Sequence, residues 1–201
     1  MKKLIILLVA LVSLTTAYCQ TADEYFDMGV SKLQLEDYRG AIADYTKVID
    51  IDPNDAEAYF WRGISKFLLK DDRGAIADYT KAIEIDPNDA TAYYKRGFAK
   101  ANLNDYRGAI ADYTKVIEID PNDATAYHER GFAKLQLKDN RGAIADYTKA
   151  IEIDPNDAIA YNGRGLAKLV LGQLDDGCLD LSKAGELGLG QAYEVIKEKC
   201  N

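Results

Sequence analysis

A single histidine, three cysteines and a recurring Asp-Pro-Asn-Asp run are the groups of this 201-residue chain best suited to chemistry. His128 has no cysteine or second histidine at the spacing a zinc site requires. The acidic runs at 52–55, 86–89, 120–123 and 154–157 gather the oxygen ligands that calcium prefers. They lack the glycine turn and the closing glutamate of a helix–loop–helix calcium site. Each run stands just ahead of an apolar helical stretch, which assigns it to helix capping. No phosphate-cradling glycine loop, serine-nucleophile motif or metal-binding histidine pair is present. The reading is a non-catalytic protein with no cofactor and no metal. Twenty-five Lys and Arg against 33 Asp and Glu give a net charge of −8, the wrong sign for a nucleic-acid partner.

The cysteines take their meaning from the first nineteen residues. Lys2 and Lys3 precede an apolar run from Leu4 to Leu14 in which only Ser13 is polar. A bilayer span needs about 20 apolar residues. The run is too short for that and fits a secretory signal peptide over residues 1–19, cut after Ala17 or after Cys19. A competing reading acylates Cys19, although the residue before it, Tyr18, is larger than lipoprotein processing prefers. The expected location is exported, periplasmic or secreted, with an outer-membrane lipoprotein as the alternative. The short Lys-Lys start has a bacterial look. No second apolar run of spanning length follows, so no membrane span is expected in the mature chain. Cleavage after Cys19 leaves Cys178 and Cys200, 22 residues apart. An oxidising compartment favours a disulfide between them, against the alternative of two free thiols.

The elements that position these residues recur. Arg-Gly-Ala-Ile-Ala-Asp-Tyr-Thr-Lys occurs at 39–47, 73–81, 107–115 and 141–149, a spacing of 34 each time. Such a period means one structural unit stacked on itself. Each unit reads as two helices. In the second copy these run from about Ala56 to Leu69, with Asn54 or Asp55 as the cap, and from about Arg73 to Ile85, with Asp71 or Asp72 as the cap. Pro87 blocks continuation. Apolar Ile76, Tyr79 and Ala82 or Ile83 recur three and four apart, a helical stripe. Gly63, Gly97, Gly131 and Gly165 sit mid-way along the first helices. Such a residue costs about 1 kcal/mol against alanine, so its repetition points to close helix–helix packing.

With units counted from Ala22, Ala56, Ala90, Ala124 and Ala158, the fourth position is always Tyr and the eighth always Gly. The twentieth is Ala41, Ala75, Ala109, Ala143 and then Gly177. The twenty-fourth is Tyr45, Tyr79, Tyr113, Tyr147 and then Leu181. The thirty-second is Pro in four units and Leu189 in the last. On these positions the chain resembles the tetratricopeptide repeat family over about residues 22 to 191. The resemblance implies an all-α, right-handed α-solenoid of five 34-residue helical hairpins (22–55, 56–89, 90–123, 124–157, 158–189) plus a C-terminal solvating helix over 190–201. Position seven departs from the family's apolar habit, being Met28 and then Arg62, Arg96, Arg130 and Arg164. Position eleven is Lys throughout. Half-buried Arg needs a partner, and Asp44, Asp78, Asp112, Asp146 and Asp180 at position twenty-three are expected to pair with these arginines. The fifth unit is interrupted by Gly172, Gly177, Gly185 and Gly188. Tyr193, Val195 and Ile196 should face inward on the closing helix, and a Cys178–Cys200 bond would fasten that end.

Copies within one chain can be compared. The second helix barely changes. The first varies at positions two, five, six, nine, twelve and thirteen, which share one face. The resemblance makes that face the lining of a concave, peptide-binding groove. Its candidate partner-binding residues are Phe26, Phe60, Trp61, Ile64, Tyr94, Lys95, Phe98, His128, Glu129 and Phe132, aromatic-rich as interface anchors are. Position nine (Ile64, Phe98, Phe132) has a competing role in packing neighbouring hairpins. No three successive units supply the Lys/Asn/Arg clamp with which some family members hold chaperone C-termini. The expected function is a protein-interaction scaffold of the cell envelope or secreted space. The alternatives are a lipid-anchored or self-associating assembly component and an envelope glycan binder.

Overall fold

The computed structural model describes residues 20–200. The expected signal peptide and Cys19 lie outside the described residues. Among the described residues there are eleven helices and no strand. They are α1 (Ala22–Gln34) and α2 (Tyr38–Ile51), α3 (Ala56–Leu68) and α4 (Asp72–Ile85), α5 (Ala90–Asn102) and α6 (Tyr106–Ile119), α7 (Ala124–Gln136) and α8 (Asn140–Ile153), α9 (Ala158–Val170) and α10 (Leu174–Glu186), and α11 (Gln191–Lys199). Each packs chiefly on its neighbours in sequence. The result is five hairpins in single file with α11 closing the last.

The helix starts are written in the repeat. The last Asp of each acidic run caps the following first helix, Asp55 accepting from the Ala58 amide at 2.9 Å and Asp123 from Ala126 at 2.9 Å. Their carboxylates satisfy orphan amides of the first turn. Asp37, Asp71, Asp105 and Asp139 cap the second helices in the same way. Hairpin one opens instead on a capping box, Thr21 with Glu24. Gln173 makes no side-chain cap on α10, one sign of the degenerate fifth unit. Within each hairpin the chain reverses through one left-handed residue. These are Glu36, Lys70, Asn104 and Lys138, with φ of 60°, 65°, 61° and 63°, and Gly172 at 77°.

The buried interior is alanine and tyrosine. Tyr45, Tyr79, Tyr113, Tyr147 and Leu181 of the second helices fill it. Each tyrosine ring lies on the mid-helix glycine of its own hairpin, and a Cβ at Gly63 would stand 2.7 Å from Tyr79 Cε1. This contact is why those positions tolerate no side chain.

The arginines are bound as expected, and more heavily. Arg96 donates from Nη2 and Nε to the two Asp112 oxygens at 2.7 and 3.0 Å, and from Nη1 to Thr80 Oγ1 of the preceding hairpin at 3.1 Å. Its guanidinium lies 5.4 Å from the Tyr93 ring centroid. Arg62, Arg130 and Arg164 repeat the arrangement. Lys66, Lys100, Lys134 and Lys168 complete each site with a contact to the same Asp at 2.7–2.8 Å. Hairpin one has Met28 at the arginine position, and Asp44 there keeps Lys32 at 2.6 Å. Each arginine ties three helices together, one of them in the preceding unit.

At the C-terminal end Cys178 on α10 is joined to Cys200, with Cα atoms 6.0 Å apart. On α11 it is Ala192 that is buried. Val195 and Ile196 are half-buried, and Tyr193 is 50% exposed with its ring laid across Gly185. The inward expectation for Tyr193 is corrected accordingly: the nine-residue helix buries only the one small residue that lets it sit close. No helix among the described residues is long and apolar enough to cross a membrane.

Candidate functional site

The variable face of the first helices is built on the core tyrosines. The position-five ring of each of four hairpins rests on the buried tyrosine beneath it. Centroid separations are 5.5 Å for Phe26–Tyr45, 5.9 Å for Phe60–Tyr79, 5.7 Å for Tyr94–Tyr113 and 5.9 Å for His128–Tyr147. The invariant second helices therefore hold a row of variable rings at a fixed height. Trp61 stands edge-on to Phe60 at 5.5 Å, with its Nε1 donating to Glu57 at 3.2 Å. Lys95 lies over the Tyr94 ring at 5.8 Å. His128 Nδ1 is 3.7 Å from Asp157.

Clefts open between successive first helices. One of about 240 Å³ brings together Ile64, Tyr94, Lys95 and Phe98 with Phe67 and Leu68. A second, of about 290 Å³, holds Phe60 and Trp61 against Glu57, Asp86 and Asp89. A third, of about 360 Å³, sets Tyr94 and Lys95 beside Asp123. Phe26 lies apart in a cleft with Asp23, Asp27, Asp55 and Glu57. The first cleft is apolar with Lys95 as its one charged residue, whereas the other three carry carboxylates.

Position nine divides as its competing role suggests. Phe98 packs on Phe67 of the preceding hairpin at 5.7 Å and Phe132 on Tyr106 at 6.4 Å, yet both stay well exposed at 36% and 40%. They cement the stack with one edge and show the other. Phe67 and Leu68 were not singled out from the sequence. They occupy positions twelve and thirteen, so the variation between copies was the signal for them.

The titratable groups here are shifted by burial. Tyr45 and Tyr94 are pushed up to about 12, first by burial and then by nearby carboxylates. Tyr79, Tyr113 and Tyr147 are pushed up as well, for the same leading reason. All five are neutral at ordinary pH and serve as apolar bodies with a hydroxyl tip. Burial raises the Glu129 carboxyl, and His128 beside it draws it partly back. The face offers rings, clefts and carboxylates to a ligand; it does not set a nucleophile against a base.

The TPR repeat family matches residues 22–70, 67–104, 99–138 and 133–172. Among solved structures, one of MamA is 30% identical with a TM-score of 0.80, covering 86% of this chain and 94% of that one. A MamA from Desulfovibrio magneticus RS-1 is 22% identical at a TM-score of 0.79, covering 85% and 96%. YrrB, described as a TPR protein with an unusual peptide-binding site, is 20% identical at a TM-score of 0.79, covering 88% and 92%. These last two likenesses are of fold alone. No curated protein matches the sequence.

Proposed function

The chain belongs to the TPR repeat family of right-handed α-solenoids, and from that premise we propose that it is a non-catalytic interaction scaffold holding a peptide or extended segment of another protein in its concave groove. The observation that carries the reading is the contrast between the two helices of each unit. The second helices of the first four units are near-identical, whereas the first helices differ where they line open clefts. Rings already immobilised on the core present apolar area to a ligand at little cost in side-chain entropy. The proposed location is the cell envelope or secreted space, resting on the leader-like residues 1–19.

A pull-down from envelope extract tests the groove, comparing the protein with a Trp61→Ala/Tyr94→Ala double variant matched for helicity. A partner captured by the parent and lost by the variant supports it. Equal capture by both moves the site to the second helices, the loops or α11. The mass of the exported protein tests the leader: a chain beginning at Tyr18 or Gln20 fits secretion, lipid mass on Cys19 makes it an anchored protein, and a retained Met1 removes the export reading.

A further inference from the structure

The charges of the first helices are divided unevenly between scaffold and surface. The repeated Arg and Lys of positions seven and eleven are turned onto buried Asp residues of the second helices. What remains on the variable face is Asp23, Asp27, Glu57 and Glu129, against Lys95 alone. The capping residues Asp55, Asp89 and Asp123 line the cleft edges as well.

Glu129 stands out within this set. The scaffold aspartates are ion-paired and the capping aspartates bind amides, whereas Glu129 is half-buried with neither a hydrogen bond nor an ion pair among the described residues. It stands on α7 next to His128, whose ring rests on Tyr147 at 5.9 Å, and at the repeat position that Lys95 holds in the preceding hairpin. A carboxylate so placed destabilises the free protein and is satisfied by an incoming cation.

Building on the groove reading, we infer that the segment this face selects is basic, and that Glu129 is the residue that selects it by pairing with a Lys or Arg side chain of the partner. Lys95, one repeat earlier at the same position, keeps cations off its own cleft and so helps to set the register of the segment. The acidic cleft edges would add long-range attraction that weakens with salt.

The test is a random 12-residue peptide library selected on the purified protein. Retained peptides should be enriched in Lys and Arg and bind less tightly as salt is raised. Glu129→Gln should weaken the best of them about 10- to 100-fold, the range of one charge-assisted hydrogen bond. The same substitution should leave the melting temperature unchanged or higher, because it removes an unpaired half-buried charge; a merely structural Glu129 would lower it. Neutral or acidic retained peptides overturn the inference. So do basic peptides that bind Glu129→Gln as tightly as the parent, and if Trp61→Ala/Tyr94→Ala still loses them the groove reading survives alone. If no retained peptide depends on any of these residues, both readings fall.

Discussion

Replacing Asp112 with alanine removes the centre of an ion cluster in the middle of the array. The residue is 3% exposed. It receives two arginine donors, at 2.7 and 3.0 Å, and Lys100 Nζ at 2.7 Å. Asp112→Ala would leave Arg96 and Lys100 facing each other without a counter-charge. Breaking a buried pair from one side costs about 3–5 kcal/mol. The side chains of Arg96 and Lys100 retain 14% and 20% exposure, and Arg96 keeps Thr80 and the Tyr93 ring. Water can therefore relieve part of the penalty, and the lower end, about 3 kcal/mol, applies. For a chain of this length 1 kcal/mol moves the melting temperature by about 2–4 °C, so a fall of about 6–12 °C is expected. Arg96→Met is the matched control, because it copies hairpin one, where Met28 stands and Asp44 keeps only Lys32. With Lys100 still in place the carboxylate stays compensated, and the cost should be about 1–2 kcal/mol. Thermal circular dichroism measures the whole array. Hydrogen exchange should show the loss concentrated in α5 and α6, since stacked repeats respond locally. An Asp112→Ala protein melting within about 1 °C of the parent, or an Arg96→Met protein melting below Asp112→Ala, would refute the reasoning.

Three further outcomes follow from the packing. Gly63→Ala should destabilise by about 1 kcal/mol or more in chemical denaturation, because overpacking against Tyr79 (a Cβ 2.7 Å from Cε1) outweighs alanine's advantage as a helix former. Lys138→Gly should raise stability by up to about 1 kcal/mol by relieving the left-handed backbone at φ 63°, and Gly172→Ala at φ 77° should lower it by a similar amount; a reversed order in thermal melts would contradict this. The protein should unfold in alkali. Burial pushes the Tyr45 hydroxyl up from the usual 10.0 to about 12, so the native state holds the proton more tightly. That stability is complete below pH 10 and is lost as pH rises from 10 toward 12. Tyrosinate absorbance should therefore rise in two stages, the second together with loss of helicity; a single stage near pH 10 with the fold intact would show that the core tyrosines are not protected.

The repeat made most of the fold legible. A fixed period, Asp before each helix and a 3.6-residue apolar stripe are local signals that survive translation into helices and caps with little dependence on what packs against them. The opposed Arg and Asp at positions seven and twenty-three could be paired in advance because both recur in register and neither belongs unpaired in a half-buried site. Lys at position eleven lies one helical turn from the arginine and shares its side, but a lysine can reach solvent on its long stem, so its pairing with the same Asp shows only in the stack. The site was less legible. Variation between copies marked a face, including the two positions of Phe67 and Leu68, but it ranked neither clefts nor residues. Position nine shows the limit: one type of residue both packs on the neighbouring hairpin and remains open at its edge.

Sequence alone determined the unit, its length, its number of copies, its helix starts and the chemical poverty that argues against an active site. Those properties follow from residue type and spacing along a single chain. Tertiary structure decided the rest. It put the repeated arginines and lysines onto buried carboxylates, so that Lys95 is the one Lys or Arg left at the variable positions of the first helices. It set the variable rings on the core tyrosines, and it left Glu129 half-buried without a partner. Nothing local distinguishes Glu129 from the exposed Asp27 at the same repeat position; burial and pairing are properties of the stack, and only the stack separates a solvated charge from one that waits for a ligand.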